Sequence, residues 1–295
     1  MIPRMPFGRT GHNSSRIIFG AAGLGANNPR LTARVMTQLV EAGVNHIDTA
    51  STYGESELAL APFLSEHRSE VFLATKARER DGADARAELE ASLTRMGVDQ
   101  IDLIQLHNLV EPDEWEQAHR PGGALETMVK ARDEGLVRFI GVTGHGTRIP
   151  AQHLRSLDEF PYDSVLVPYN FSMLSNTAYR DDITALLERC ATDNVAVQTI
   201  KSIARRRWVD ASAEGERRFS WYQPLEDSEA IARATRFVLS NSQIFLNTSS
   251  DVRYLNPVLI AASGDLTCPD DAAMEADSLA FDIKALFDGG ELERI

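Results

Sequence analysis

Short runs of aliphatic and β-branched residues recur along the chain, and each is followed by turn residues and then by a stretch of helical periodicity. Eight of these runs predict strands, at residues 16–22, 44–49, 70–75, 101–106, 137–142, 163–168, 195–200 and 242–247. Apolar positions spaced as on one helix face predict helices at 31–43, 84–97, 123–135, 181–194 and 229–240. This alternation is typical of a parallel sheet whose strands are joined by crossover helices.

Eight strand and helix units in about 250 residues predict an α/β fold, the (β/α)8 TIM barrel. No linker rich in Pro, Gly or Ser divides the chain, so we expect residues 1–295 to form one domain. A doubly wound open sheet is the alternative, but no strand is followed by a G-x-G-x-x-G turn that enters a helix. Residues 5–15 predict an N-terminal β-hairpin and residues 269–287 an extra C-terminal helix, which would close the barrel bottom or overhang its rim.

Composition narrows the class of protein. The chain is 43% hydrophobic and 25% charged, as in ordinary globular proteins, and no run approaches the ~18 apolar residues of a membrane span. The first residues lack the apolar centre of a secretory signal, so we expect a cytoplasmic protein. A net charge of −13 argues against nucleic acid or a membrane as partner, because both favour basic surfaces. The two cysteines and the scattered histidines predict no metal site.

Polar side chains stand at the ends of three successive predicted strands. Asp48 ends the second strand and Tyr53 follows it, Lys76 ends the third, and His107 ends the fourth. Because the site of such a barrel lies at the carboxyl ends of its strands, these side chains should converge. Each has a plainer explanation: Asp48 could cap a helix, Lys76 could be solvated, and His107 could be a polar residue at the start of a loop.

Four segments carry a family resemblance. VNHIDTASTYGESELAL, FLATKA, IDLIQLHN and EGLVRFIGVTGHG resemble, in this order, the signature, the lysine strand, the histidine strand and the segment before the nicotinamide-holding loop of aldo-keto reductases. The chain is therefore similar to a divergent member of that family, with an unusual TGHG loop after the fifth strand. The resemblance implies an NAD(P)H-dependent oxidoreductase that reduces an aldehyde or ketone, or oxidises the corresponding alcohol or sugar.

The resemblance also implies a role for each strand-end residue. Tyr53 would give a proton to the carbonyl oxygen, Lys76 paired with Asp48 would lower the pKa of Tyr53, and His107 would orient the carbonyl. Two other functions stay open. One is a regulatory or redox-sensing barrel that binds the nucleotide with little turnover, and the other is an isomerase or dehydratase that needs no cofactor.

The cofactor contacts match the family less well. Where members carry Ser-Asn, Gln and an aromatic residue around the nicotinamide, this chain has Thr143-Gly144, Leu166 and Ile200. NADPH is the expected cofactor and NADH the alternative. The residues expected to bind it are Thr143, Asn170, Gln198, Lys201, Ser249, Arg253 and Asn256. Whether His145 and the cluster Arg205–Arg207 also contact it stays open.

The substrate is expected to be a small carbonyl compound or sugar, whose identity lies in the loops. Trp115, in the loop predicted at residues 108–123, and Trp208, after the seventh strand, are candidates for an apolar wall. A packing role explains either tryptophan equally well. A monomer or a weak homo-oligomer is the simplest assumption.

Overall fold

The computed structural model describes residues 1–209 and 218–290, in which parallel strands close into a barrel. Residues 210–217 and 291–295 of the predicted domain lie outside this range. The barrel strands are β3 (Ile17–Gly20), β4 (His46–Asp48), β5 (Phe72–Ala77), β6 (Ile101–Leu106), β7 (Val137–Thr143), β8 (Ser164–Pro168), β9 (Ala196–Ile200) and β12 (Ile244–Asn247). Each pairs in parallel with the next, and β12 returns to β3, so the predicted (β/α)8 barrel is confirmed.

Helices follow the strands along the chain. Their bounds are α1 Pro29–Ala42, α2 Ser56–His67, α3 Gly82–Met96, α4 Pro112–His119, α5 Ala124–Asp133, α6 Ile149–Glu159, α7 Phe171–Leu174, α8 Thr177–Asp193, α9 Ser228–Leu239, α10 Leu255–Ala262 and α11 Asp271–Ala280. The five helices predicted from periodicity correspond to α1, α3, α5, α8 and α9. The segment 108–123, predicted as a loop, contains α4, which begins with Pro112 at its first turn.

Local sequence explains where the helices begin and end. The Asn28 side chain accepts a hydrogen bond from the backbone of Leu31 at the start of α1, and the Asp81 side chain caps α3 in the same way. Both helices end at a glycine in the left-handed conformation, Gly43 with φ 76° and Gly97 with φ 66°. These are the positions at which residues without a side chain cost least, so the boundaries follow from sequence.

The predicted N-terminal hairpin is confirmed and closes the bottom of the barrel. Strands β1 (Arg4–Pro6) and β2 (Asn13–Ser15) pair antiparallel. Between them, Phe7 is fully buried in a cluster with apolar residues from the barrel interior, including Phe72 and Phe245. His46, at the start of β4, is buried beside them, its Nδ1 3.0 Å from the Ser14 hydroxyl. His46 therefore takes part in packing the bottom of the barrel.

At the opposite end, a second hairpin and the C-terminal segment rise over the barrel mouth. Strands β10 (Ala204–Arg207) and β11 (Tyr222–Pro224) pair antiparallel. The helix predicted over residues 269–287 is too long, because α11 ends at Ala280. Beyond it the Lys284 backbone donates to the Arg205 carbonyl, 2.7 Å away, and Leu286 and Phe287 are buried. Hydrogen bonds and burial against β10 replace the helix that the sequence pattern suggested.

Candidate active site

A cavity of about 360 Å³ opens at the carboxyl ends of the barrel strands, where this fold places its sites. Its wall includes all four residues predicted to be catalytic, which are Asp48, Tyr53, Lys76 and His107. Leu166, in the middle of β8, and Ile200, at the end of β9, contribute apolar surface. The convergence expected from three successive strand ends is therefore found in the tertiary structure.

Asp48 and Lys76 form a buried ion pair. The Lys76 Nζ lies 2.6 Å from the Asp48 Oδ2 and donates a second hydrogen bond to the Thr49 carbonyl at 2.7 Å. Two side-chain amides also donate hydrogen bonds to the Asp48 carboxylate. Gln105 Nε2 donates to Oδ1 at 2.8 Å, and Asn247 Nδ2 donates to Oδ2 at 3.1 Å. A buried charge pair whose remaining lone pairs are satisfied is held in one geometry.

The amide network extends from this pair across the barrel interior. Gln198 donates to the Gln105 side-chain oxygen at 2.8 Å, and Asn247 donates to the Gln198 oxygen at 3.3 Å. Gln198 is fully buried and is not part of the cavity wall, so it supports Asp48 through Gln105 from inside the barrel and does not face the cavity. Each of the predicted strands IDLIQL and VAVQTI contains one glutamine among mostly apolar residues, and these two glutamines were the available signal for this network.

Two glycines position Tyr53 over the mouth. The chain turns after β4, with the Tyr53 backbone donating to the Ala50 carbonyl at 3.1 Å, and Gly54 has φ 57°. A Cβ on Gly54 would stand 2.7 Å from the Gly25 carbonyl oxygen, and one on Gly25 would stand 2.6 Å from the Tyr53 carbonyl oxygen. Only residues without side chains allow this close approach, which anchors the tyrosine loop to the loop after β3.

Tyr53, Lys76 and His107 are mutual neighbours. The Lys76 Nζ is 4.9 Å from the centre of the Tyr53 ring, and the Tyr53 and His107 ring centres are 5.8 Å apart in an edge-to-face arrangement. The His107 Nδ1 lies 3.2 Å from the Thr52 hydroxyl, which fixes the orientation of the imidazole. A phenol, an ammonium and an imidazole thus face one small volume.

Burial dominates the protonation states of these groups. It raises the pKa of Tyr53 more than the nearby Lys76 lowers it, so the lowered pKa predicted from sequence is wrong and the phenol is protonated at neutral pH. Burial alone would lower the pKa of Lys76, but Asp48 and Tyr53 outweigh it and the pKa is raised. Burial and surrounding cations lower the pKa of His107 to about 3, so this imidazole is neutral.

Lys201, predicted to bind cofactor, lines the opposite side of the cavity at the end of β9. Its Nζ lies 4.6 Å from the Trp221 ring centre and 5.0 Å from that of Tyr222. Burial lowers the pKa of Lys201 to about 7, because aromatic rings surround it without supplying a countercharge. Ser249, also predicted, lines the same side, with its hydroxyl 2.9 Å from that of Tyr222.

The other predicted cofactor residues are placed less favourably. Thr143 lines the cavity, but its hydroxyl already accepts from the Asn108 backbone at 2.9 Å. Asn170 caps α7 and donates to the Lys201 carbonyl at 2.8 Å, outside the cavity wall. Arg253 is held by both oxygens of Asp251 at 2.9 and 2.7 Å, which raises its pKa. Asn256 lies against α1 in a separate surface depression.

Of the residues left open, His145 belongs to the cavity and the arginine cluster does not. His145 lines the wall, its buried Nδ1 has no hydrogen-bond partner among the residues that the structure describes, and burial holds its pKa well below the usual range. Arg205 donates to the Phe281 carbonyl, Arg206 pairs with Asp282, and Arg207 donates to the Leu286 carbonyl at 2.9 Å. The cluster therefore binds the C-terminal segment to β10.

Neither tryptophan proposed as an apolar wall reaches the cavity. Trp115 is buried under α6, where its indole donates to the Ser156 hydroxyl at 2.9 Å, and Trp208 donates to the Ser220 carbonyl at 3.0 Å. The aromatic wall comes instead from Trp221 and Tyr222, which sequence reasoning missed because their hairpin follows no strand-and-helix pattern. Arg78, two residues after Lys76, also lines the cavity and was missed.

Two features are absent from residues 1–209 and 218–290, the part of the chain that the structure describes. These residues contain no group of three or more His, Cys, Asp or Glu side chains arranged to hold a metal ion. None of their helices combines the length and apolarity that crossing a membrane requires.

Known proteins share both sequence and fold with this chain. An aldo-keto reductase of Mycobacterium sp. (strain KMS) is 32% identical over 133 residues, 44% of this chain and 45% of that protein. A D-threo-aldose 1-dehydrogenase of Pseudomonas sp is 28% identical over 195 residues, 55% of this chain and 57% of that protein. The chain thus spans about half the length of the curated relatives it matches.

Structure and family comparison extend the likeness over more of the chain. The holo form of aldo-keto reductase AKR11C1 from Bacillus halodurans matches with a TM-score of 0.67 and 19% identity, covering 99% of this chain and 100% of that one. At this identity the likeness shows the fold alone. The sequence model of the "Aldo/keto reductase family" matches residues 16–238 of this chain. The matched range includes Asp48, Tyr53, Lys76 and His107. This chain therefore belongs to the aldo/keto reductase family.

Proposed function

We propose that this protein is an NAD(P)H-dependent oxidoreductase that reduces an aldehyde or a ketone, or oxidises the corresponding alcohol or sugar. The observation that carries the proposal is the buried Asp48–Lys76 pair beside Tyr53 and His107 in one cavity. Reduction of a carbonyl needs a proton donor beside the oxygen and a hydride source beside the carbon. The tyrosine meets the first need, and no side chain can meet the second.

The cavity suits a nicotinamide nucleotide in its donor set. Lys201 and Ser249 offer a cation and a hydroxyl for phosphate, and Leu166 and Ile200 offer an apolar floor for a ring. His145 is the proposed contact of the carboxamide, because it lines the cavity, a neutral imidazole has one donor and one acceptor, and no residue in the described part of the chain pairs with its buried Nδ1. It would replace the amide side chains that Gly144 and Leu166 do not supply.

The chain's own residues divide the proton chemistry. A bound reduced nicotinamide would supply the hydride to the carbonyl carbon. Tyr53, protonated at neutral pH, donates its phenolic proton to the carbonyl oxygen as negative charge develops there. Lys76, charged through its pairing with Asp48, stabilises the phenolate that remains until solvent returns the proton. Neutral His107 donates a hydrogen bond that orients the carbonyl.

NADPH is the proposed cofactor, with NADH as the alternative. The Asp251–Arg253 pair favours NADH, because a carboxylate already neutralises the arginine expected to meet a 2′-phosphate. The alternative function, a nucleotide-binding regulatory barrel, is favoured by the replaced nicotinamide contacts Gly144 and Leu166. Titration with NADPH and NADH decides between the two cofactors, and a turnover assay decides between the reductase and the regulatory barrel.

The test combines binding and turnover. We expect the purified protein to bind NADPH or NADH in a calorimetric titration and to oxidise the bound nucleotide when aldehydes and sugars are supplied. Replacing Tyr53 by Phe should lower kcat by roughly 10²- to 10⁴-fold while nucleotide affinity is kept, because only the transferable proton is removed. Binding without turnover on any substrate would favour the regulatory barrel, and unchanged turnover in Tyr53→Phe would remove Tyr53 from the mechanism.

A further inference from the structure

The side of the cavity beside the catalytic residues carries a cation that the proposed reduction does not use. Arg78 lies on the loop after β5, two residues beyond Lys76; it is one of the residues that form the cavity wall, and its side chain is exposed. It is close enough to His107 that its charge helps to lower the pKa of that imidazole. Arg78 therefore lies near the imidazole that is proposed to orient the carbonyl group.

The loop is held in place without neutralising this charge. The Glu88 carboxylate on α3 accepts from the backbone of Arg78 at 2.8 Å and from the backbone of Glu79 at 3.0 Å, and its other oxygen accepts from the Ser51 hydroxyl. Within residues 1–209 and 218–290, no hydrogen bond or ion pair engages the Arg78 guanidinium. The backbone is anchored, and the charged end of Arg78 is left exposed beside the cavity that this residue lines.

Nearby cations differ from Arg78 in this respect. Arg80 also lines the cavity, but it pairs with Glu114 at 2.8 Å and donates to the His107 carbonyl at 2.7 Å. Lys76 is paired with Asp48. The two carboxylates of the described cavity wall, Asp48 and Glu114, are thus paired with Lys76 and Arg80, and neither forms an ion pair with Arg78.

The cavity is consequently electropositive in a protein whose net charge is −13. Walls of low dielectric constant concentrate such a field inside a cleft and attract ligands of opposite sign. Lys201, on the far side of the cavity, is already assigned to the nucleotide. The excess charge on the near side therefore calls for a second anion, carried by the substrate.

We propose that the carbonyl substrate bears an anionic group, a carboxylate or a phosphate, that pairs with Arg78. This inference rests on the proposed reductase function and names the substrate class of the same site. A planar guanidinium binds either oxyanion through two parallel hydrogen bonds, which would hold the carbonyl in one orientation beside Tyr53 and His107. The reduction itself is unchanged: a hydride adds to the carbonyl carbon and the Tyr53 proton adds to the oxygen.

The test compares substrates that differ in charge. The matched pairs are 4-oxobutanoate with its methyl ester, and glyceraldehyde 3-phosphate with glyceraldehyde. For at least one pair we expect kcat/KM to be about tenfold or more higher for the anion, the value of one charge-assisted hydrogen-bonded pair. In Arg78→Gln the ratio should fall by about the same factor, and Arg78→Lys should restore part of it, because a lysine keeps the charge but not the fork.

Two control variants locate the effect. Arg34→Gln removes the same charge from the exposed face of α1, away from the cavity, and should keep the wild-type ratio. A ratio near one for both pairs in the wild type would overturn the proposal, and so would a ratio that Arg78→Gln leaves intact. Loss of the ratio in Lys201→Gln but not in Arg78→Gln would overturn the assignment to Arg78.

A binding measurement separates this proposal from the reaction. Butanedioate, an unreactive dianion, should bind the wild-type protein in calorimetry about tenfold more tightly than Arg78→Gln, an advantage that weakens as salt is added. If no carbonyl compound is turned over, the proposed reductase fails, and equal butanedioate affinity in the two proteins overturns the anion site as well. Turnover of carbonyl compounds with no preference for anions overturns only the anion site.

Discussion

The cavity wall includes two lysines on opposite sides, and their surroundings make them different groups. Lys76 contacts the Asp48 carboxylate at 2.6 Å, and its pKa is raised despite burial. Lys201 lies over the rings of Trp221 and Tyr222, and burial lowers its pKa to about 7. The same side chain is thus a permanent charge on the proposed catalytic side and a titratable one on the proposed nucleotide side, because among the described residues only the first has a countercharge.

The largest expected effect comes from breaking the permanent pair. Lys76→Met should destabilise the protein by about 3 kcal/mol or more, because it leaves the Asp48 carboxylate buried without its cation. Denaturant unfolding of the variant measures this cost. The double variant Lys76→Met with Asp48→Asn should recover part of it, and a double variant no more stable than the single one would contradict the account.

The interior amides that support Asp48 should matter next. Gln198→Leu is expected to lower the free energy of unfolding by about 1–3 kcal/mol, because two buried groups lose their hydrogen bonds to Gln198. These groups are the Gln105 side-chain oxygen, 2.8 Å from the Gln198 Nε2, and the Asn247 amide nitrogen, 3.3 Å from the Gln198 Oε1. Urea unfolding is the measurement. Gln198→Glu serves as a comparison of similar size, and a neutral effect of Gln198→Leu would show that the network adds little.

The titratable lysine should give a pH-dependent affinity. An anion binds best to the charged form, so the affinity for ADP-ribose, whose pyrophosphate keeps its charge, should fall as pH rises above the Lys201 pKa of about 7. The limiting slope is about tenfold per pH unit. Calorimetry between pH 6 and 9 measures the ADP-ribose affinity over about one pH unit or more on each side of the Lys201 pKa. Lys201→Arg, which keeps its charge, should show a flat profile, and a flat wild-type profile would contradict the prediction.

The smallest effect tests the aromatic cover of Lys201. Trp221→Leu removes the indole 4.6 Å from the ammonium and admits water, so the pKa of Lys201 should rise toward its ordinary value. The midpoint of the ADP-ribose profile would then move to higher pH. Phe219→Leu alters a neighbouring aromatic residue outside the cavity wall and is the matched control. An unmoved midpoint in Trp221→Leu would assign the lowered pKa to other buried surface.

The catalytic side was far more predictable than the nucleotide side. Asp48, Lys76 and His107 stand at strand ends, and the register of a closed parallel barrel brings successive strand ends together. The nucleotide side depends on loops. Gln198 was expected there but is turned into the interior, and Trp221 enters from a hairpin that has no periodic pattern. The helix predicted at 269–287 is wrong beyond Ala280. There too, contacts with a distant segment decide the structure, because Arg205 and Arg206 of β10 hold residues 282–284.

By itself the sequence determined the barrel, because alternating apolar periods specify which faces of strands and helices are buried, eight such units match a closed barrel, and no G-x-G-x-x-G turn supports the open sheet. It also determined which side chains stand at the strand ends. Only the tertiary structure decided their protonation, since a pKa depends on burial and on countercharges brought from distant segments. Tyr53, His107 and Lys201 owe their states to neighbours that no local pattern in the chain specifies.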